Sequence, residues 1–471
     1  MEKKDIALLA IAGVVLCGGC ARFSPQPLSP SESAASFESR TLLNPELKKF
    51  LEANLHREIT PWPAKSWDIN MLVLAAVYYH PDLDLARSTW GVTKAGILTA
   101  GERPNPTFSF VPQFVSNAAA GASPWLFTPT LDFTAETAGK RGYRIAEAEH
   151  LAEAARLNVA SAAWKVRSRL RKSLLDLYAP VETERLLREQ RKVQEGIVRL
   201  LEQRLAVGEI PQPEVTQARI ALNQLDLSLR EAQRQLAEAR AQVADSLGVP
   251  TAALDEVDLN FDFIEQIPGA ADLPSSAVQR DALMSRPDLL SALADYAASE
   301  SALQIEIAKQ YPDLHLNPGY EFDQGANKWG LGFSLTLPLL NRNEGPIAEA
   351  EAKRKEAAAK FFALQAQVIG EIQRTIAGYR GALDKLKTAD ALLAAQNEQQ
   401  KSVQTMFNAG EADQLTLLSA DLEVDAIAIS RLDALVKARQ SFDLLEDAVQ
   451  FPLSGAGFVP GAAEIDSRAK K

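Results

Sequence analysis

The chain has 471 residues, a net charge of −11 and two cysteines. The acidic balance argues against a nucleic-acid binder, and the length allows two or three domains. Alanine, glutamate, arginine, leucine and glutamine dominate long stretches, the composition of long helices and coiled coils.

Both cysteines, Cys17 and Cys20, fall in the first twenty residues. Lys3 and Lys4 precede the apolar stretch Ile6–Leu16, which is too short to span a membrane as a helix. Gly18-Gly19-Cys20 follows, so residues 1–20 read as a secretion leader with a lipobox-like end, and Cys20 is the candidate lipidated residue. An ordinary cleaved leader is the alternative, because Cys17 stands where a lipobox usually has leucine. Residues 21–65 are rich in proline and serine and read as an extended arm. They hold one short helix, signalled by Asn44 as cap and Pro45 at its first position.

From residue 66 the chain is written twice. His80-Pro81-Asp82-Leu83 through Pro106 returns as Arg286-Pro287-Asp288-Leu289 through Pro312, shifted by 206. Ile145-Ala146-Glu147-Ala148-Glu149 and Gly208-Glu209 return at Ile347 and Gly410, shifted by 202. A period of about 200 residues is too long for a solenoid unit. It divides the chain into a first copy (66–250), a linker (251–279), a second copy (280–450) and a loose tail (451–471).

In the first copy an apolar helix, Asp68 to Tyr79, is ended by Pro81, and a second helix runs from about Asp82 to Thr99. Two strands follow. Phe108, Phe110 and Phe114 alternate with polar residues in one, as do Trp125, Phe127, Leu131 and Phe133 in the other. The second copy repeats this in Leu314–Phe322 and Trp329–Leu337. Each strand pair precedes a helical stretch of about 64 residues, roughly 95 Å at 1.5 Å per residue. Pro180 inside the first stretch is expected to kink or break it. The turns Val207-Gly208-Glu209 and Ala409-Gly410-Glu411 then reverse the chain into shorter heptad helices. The basic run Lys165, Arg167, Arg169, Arg171, Lys172 reads as a solvated or lumen-facing helix side.

Four amphipathic strands beside such helices have two readings. They are soluble hairpins packed on helices, or they span a membrane. Four strands cannot close a barrel, and open edges are not tolerated in lipid, so the membrane reading requires oligomerisation. Paired antiparallel helices attached to a barrel would continue it as a hollow conduit. Chemistry is sparse: His56, His80, His150 and His315 are far apart, and neither a nucleotide loop nor a nucleophile elbow is present. Neither an enzyme nor a cofactor is expected.

The duplicated strand–helix order, the lipobox-like Cys20, the paired Pro-Asp-Leu openings and the two Gly-Glu turns together resemble the TolC family of outer-membrane efflux factors. Glu136-Thr137-Ala138-Gly139-Lys140-Arg141 is similar to the Gly-Lys-Arg segment of its CzcC-like cation-efflux branch. The resemblance implies a mainly α protein with membrane β: a homotrimer with a 12-stranded β-barrel, four strands per chain, continuous with a periplasmic α-helical barrel. It implies an outer-membrane exit duct that meets a periplasmic adaptor and an inner-membrane pump of the RND type. By position, Val207, Gly208, Glu209, Ala409, Gly410 and Glu411 become adaptor contacts. The family often places an acid six residues after each turn glycine, near the pore constriction. Glu214 fits this in the first copy, Thr416 takes the place in the second, and Asp413 is close by. The rival expectations are an exported coiled-coil scaffold without a pore, or the exit duct of a type I protein secretion system.

Overall fold

The computed structural model describes residues 23–118, 120–269, 280, 283–323 and 325–453. Cys20 and nearly all of the tail lie outside them. Two short helices, α1 (Pro30–Glu38) and α2 (Pro45–Leu55), lead into β1 (Ser66–Trp67) and α3 (Ile69–Tyr79). The first large unit is α4 (Pro81–Gly101), β2 (Thr107–Phe114), β3 (Trp125–Ala135), α5 (Lys140–Ala206) and α6 (Gln212–Leu247). After β4 (Asp258–Leu259) and α7 (Asp262–Glu265) the same order returns. It comprises α8 (Pro287–Ala308), β5 (Leu314–Asp323), β6 (Ala326–Leu335), α9 (Glu344–Asn408) and α10 (Gln414–Val449). The lengths match closely: 67 and 65 residues in the long helices, 36 in each return helix.

Local sequence explains the helix starts. Asn44 Oδ1 accepts the Glu46 amide at 2.8 Å, with Pro45 at the first helical position. Ser29 caps α1 in the same way ahead of Pro30, so the N-terminal arm holds a second short helix beside the expected one. His80 ends α3 and caps α4, its Nδ1 accepting the Asp82 amide at 3.2 Å.

The four long strands form one antiparallel sheet in the order β2-β3-β5-β6. Register places Phe108 opposite Leu131, Phe114 opposite Trp125, Phe127 opposite Phe322, Leu316 opposite Phe333 and Tyr320 opposite Trp329. Side chains alternate across a strand, so these residues share one face. Ring contacts run across it, Phe114–Trp125 at 5.1 Å and Tyr320–Trp329 at 4.8 Å between centroids. The opposite face is polar: His315 Nδ1 lies 3.1 Å from Asp132 Oδ1, and Lys328 donates to Glu321 at 3.1 Å and Asp323 at 2.7 Å. Most residues of the apolar face are solvent-exposed in the single chain, Trp329 at 82 % and Phe333 at 72 %.

The main core lies far from both sheet and turns. Leu42, Leu47 and Leu51 of the N-terminal arm join α3, the middle of α5 and the end of α6. Each fully buried leucine contributes about 1.5–3 kcal/mol, enough to hold the arm as a belt. The strand pair β1–β4 fastens the same belt to the segment between the copies.

Two expectations are corrected here. α5 continues through Pro180 without a break. The proline forfeits one helix hydrogen bond, but it lies in a buried stretch of the helix, as do Leu174, Leu175, Tyr178, Leu186 and Leu187. The basic run is not one solvated side either. Lys165, Arg169 and Lys172 face outward, whereas Arg167 and Arg171, four apart, are 2 % and 3 % exposed. Arg171 pairs with Asp443 at 2.6 Å and with Glu446, and Arg167 Nη2 donates to Glu446 at 3.1 Å. This ionic junction fastens α5 to α10. Burial alone would raise the Glu446 pKa; Arg171 and Arg167 outweigh it and hold the carboxyl below its ordinary range. Asp447, which accepts from Trp164 Nε1 at 3.2 Å and from Ser168, is pushed by burial up to about 6.

Candidate functional site

The six turn residues lie at one end of the paired helices, and both turns have one geometry. Gly208 has φ +80° and Gly410 φ +78°. The Gly208 amide donates to Leu205 O at 2.9 Å and the Glu209 amide to Arg204 O at 2.9 Å. The second turn repeats this from Gly410 to Phe407 O (3.0 Å) and from Glu411 to Met406 O (2.8 Å). These are Schellman closures, in which a left-handed residue after the helix satisfies its last carbonyls. A Cβ added at either glycine would meet nothing within 4 Å. Backbone conformation, rather than crowding, therefore requires glycine there. Val207, Glu209, Ala409 and Glu411 are all exposed around these turns.

The return helices start differently. Pro211 begins α6 without a side-chain cap, and Glu214 stands exposed in its first turn. Asp413 caps α10: its Oδ1 accepts the Thr416 amide at 2.8 Å and the Thr416 hydroxyl at 2.7 Å. Its Oδ2 accepts from Arg204 Nη2 at 2.7 Å, which ties the end of α5 to the start of α10. Thr416 and Arg204 hold the Asp413 carboxyl well below the usual carboxylate range. Asp413 and Thr416 thus share one cap, whereas Glu214, in the other hairpin, makes no hydrogen bond to that cap and adds its charge near Arg204. Beneath them Ile197, Val198, Leu201 and Val215 pack with Leu415 and Leu418, so the two hairpins share a small apolar core near their tips.

Further along, a groove of about 640 Å³ between α5 and α10 is lined by Glu189, Lys192, Asp421 and Asp425. Burial, then Glu189 and Asp421, raise the Asp425 pKa to about 6. Sequence reading missed Arg204 and Asp425. Arg204 stands four residues before Gly208, and nothing in its local pattern names a partner 209 residues away.

The Gly-Lys-Arg segment has a structural explanation. Lys140 Nζ donates to Tyr311 O at 2.6 Å and Asp313 at 2.7 Å, Arg141 Nε to Gly101 O at 2.6 Å, and Arg144 pairs with Glu136. Lys140 clasps the strand–helix junction of the first unit onto the helix–strand junction of the second, while Arg141 and Arg144 brace that junction within the first unit. Among the described residues no helix is long and apolar enough to cross a membrane.

The sequence matches the family described as outer membrane efflux protein twice, over residues 80–249 and 278–448. The cobalt-zinc-cadmium resistance protein CzcC of Cupriavidus metallidurans is 23% identical over 60% of this chain and 65% of its own length. The pyoverdine export outer membrane protein OpmQ of Pseudomonas aeruginosa is 27% identical over 57% and 56%. The chain thus spans less than two thirds of either relative. Among solved structures, the outer membrane protein VceC of Vibrio cholerae superposes with a TM-score of 0.66 at 20% identity, covering 82% of this chain and 97% of VceC. The outer-membrane channel OprN gives 0.67 at 16%, covering 93% and 99%. The Campylobacter jejuni CmeC outer membrane channel gives 0.64 at 18%, covering 94% and 96%. With the family matched once over each repeated unit and the fold shared with these channels, the chain belongs to the outer membrane efflux protein family.

Proposed function

We propose that this chain is one third of a passive exit duct in the outer membrane, through which an inner-membrane pump, acting through a periplasmic adaptor, expels small molecules or metal cations. The observation that carries this reading is the sheet. It has an aromatic-rich apolar face, a polar face and two open edges, β2 and β6. Its strands of 8 to 11 residues suit a tilted membrane span. Lipid tolerates such strands only in a closed barrel, and three chains supply twelve. The polar face then lines water, and α5 and α9, about 100 Å long, continue the wall into the periplasm.

On this reading Cys20 carries the lipid anchor. Val207, Gly208, Glu209, Ala409, Gly410 and Glu411 meet the adaptor, and Glu214, Asp413 and Thr416 lie at the narrowing. An RND-type pump supplies the energy. The relatives' names point to different cargo, cobalt, zinc and cadmium for CzcC and pyoverdine for OpmQ. The Gly-Lys-Arg segment does not choose between them, because its side chains are engaged in structural contacts, Lys140 across the two units and Arg141 within the first. Deleting the gene and testing growth on cobalt, zinc, cadmium and drug panels identifies the cargo class. Recovery of the protein from the soluble periplasmic fraction alone would sink the proposal.

A further inference from the structure

The two units begin α4 and α8 alike but hold those starts differently. His80 and Arg286 occupy one place in the repeat, and Asp82 and Asp288 another, both shifted by 206. In the second unit Arg286 pairs with Asp288 twice, Nε to Oδ1 at 3.0 Å and Nη2 to Oδ2 at 2.6 Å. Its Nη1 donates to Ala448 O near the end of α10. The charge there is permanent, and α8 starts without a side-chain cap.

In the first unit these tasks are divided among three residues. Arg40 of the N-terminal arm holds the end of α6, its Nη1 donating to Gly248 O at 2.7 Å and to Tyr79 O at 3.0 Å. Arg169 of α5 takes the acid, its Nη1 3.4 Å from Asp82 Oδ2; the shift of 202 puts Glu371 at this place on α9. His80 lies between them, 3 % exposed, with Nδ1 3.2 Å from the Asp82 amide and Nε2 3.2 Å from Arg169 Nη1. Asp82 Oδ2 is 3.8 Å from Nδ1. Both ring nitrogens face donors, so the place suits a neutral ring. An imidazolium would give up the Asp82 amide, meet Arg169 as a like charge and gain the Asp82 carboxylate. Burial lowers the proton affinity of His80 and Arg169 lowers it further, against Asp82 and Asp84 of α4 and Asp245 of α6; the balance lies below an ordinary imidazole.

We propose that His80 is a proton-operated switch: when the ring takes up a second proton, Asp82 passes from Arg169 to the imidazolium, as Asp288 is held by Arg286, and the start of α4 is released from α5. The Asp82 amide loses its cap in the same step. The closed joint binds the proton more weakly than an open one, so it is favoured above about pH 6.5 and weakens as pH falls through that value. Acid therefore loosens the joint between the belt and the helix that leads into β2. The start of α8, held by an arginine, does not respond. This inference stands whether or not the chain forms a duct.

The test is hydrogen exchange read by mass spectrometry on the full-length protein in detergent, at about pH 7.5 and about pH 5, with labelling times scaled to the intrinsic exchange rate. Protection over residues 81–90 is expected to fall by a factor of about 3 or more at the lower pH, while residues 287–296 keep theirs. His80→Gln retains an acceptor and takes up no proton, so it should keep 81–90 protected at both pH values. His80→Arg should leave them weakly protected at both. Adding Arg169→Glu, the residue α9 carries at the matching place, should restore them. An equal fall over both stretches overturns the proposal, as does a fall that survives in His80→Gln, or no fall at all. If His80→Arg folds and Arg169→Glu restores nothing, the exchange of Asp82 between the two cations is wrong. If His80→Arg does not fold, the His80→Gln comparison decides.

Discussion

Replacing Glu446 by glutamine tests the ionic junction between α5 and α10. Glu446 is fully buried, and its carboxylate accepts from Arg171, from Arg167 Nη2 at 3.1 Å and from the Leu453 amide at 2.9 Å. Glutamine keeps the shape and removes the charge, leaving Arg171 with Asp443, which Arg439 shares, and Arg167 with Asp447 as the remaining carboxyls. Breaking a buried pair in this way costs about 3–5 kcal/mol, mostly from the uncompensated charge left behind. Urea titration of the helical circular dichroism in detergent reads the loss. With a slope of about 3 kcal/mol/M for a chain this size, the midpoint falls by about 1–1.7 M. Converting the trio to apolar residues together (Arg167→Met, Arg171→Leu, Glu446→Leu) should recover much of the loss, because Asp443 keeps Arg439 as its partner at 3.3 Å and no charge is then stranded. A Glu446→Gln midpoint within 0.1 M (roughly 0.3 kcal/mol at that slope) of the unaltered protein would refute the reasoning.

Gly208→Val and Gly410→Val force a β-branched residue to positive φ and should each cost about 1–3 kcal/mol locally. They should weaken adaptor capture in a pull-down while cross-linked trimer persists; unchanged capture would remove these turns from the contact. Asp413→Asn loosens the Arg204 link between hairpins; the pair is largely exposed, so stability should change by less than about 1 kcal/mol, while channel conductance in bilayers should rise. Asp447 titrates at about 6 in the folded chain, above an ordinary aspartate, so the unfolded chain binds fewer protons between about pH 4 and pH 6. Its contribution therefore favours the fold at low pH and is lost as pH rises through 6. Asp447→Asn should flatten that part of the stability curve. Glu446 acts with the opposite sign and in a lower window: its depressed pKa stabilises above about pH 4 and fades below it.

Much of the architecture was legible in the sequence because period-two alternation, proline stops and glycine turns are local signals. The strand faces read from Phe108 to Phe133 are the faces that register produces. Gly208 and Gly410 were identifiable because a left-handed cap has a composition of its own. Long-range choices were not legible. Arg167 and Arg171 look like any charged helix residues until α10 brings Glu446 beneath them, 279 and 275 residues away. Pro180 reads as a breaker because propensity is local, while the packing that carries α5 through it is tertiary. Asp413 and Thr416 read as constriction acids and their substitutes; their partnership as a helix cap depends on geometry that spacing only hinted at.

Single-channel recording from the purified protein in planar lipid bilayers tests the central claim most directly. A duct built from three such chains predicts discrete, long-lived conductance steps, small because of the narrowing at the turns and larger in Asp413→Asn. A protein that binds the bilayer or stays soluble without ever producing a step, while its helical fold is intact by circular dichroism, would contradict the account.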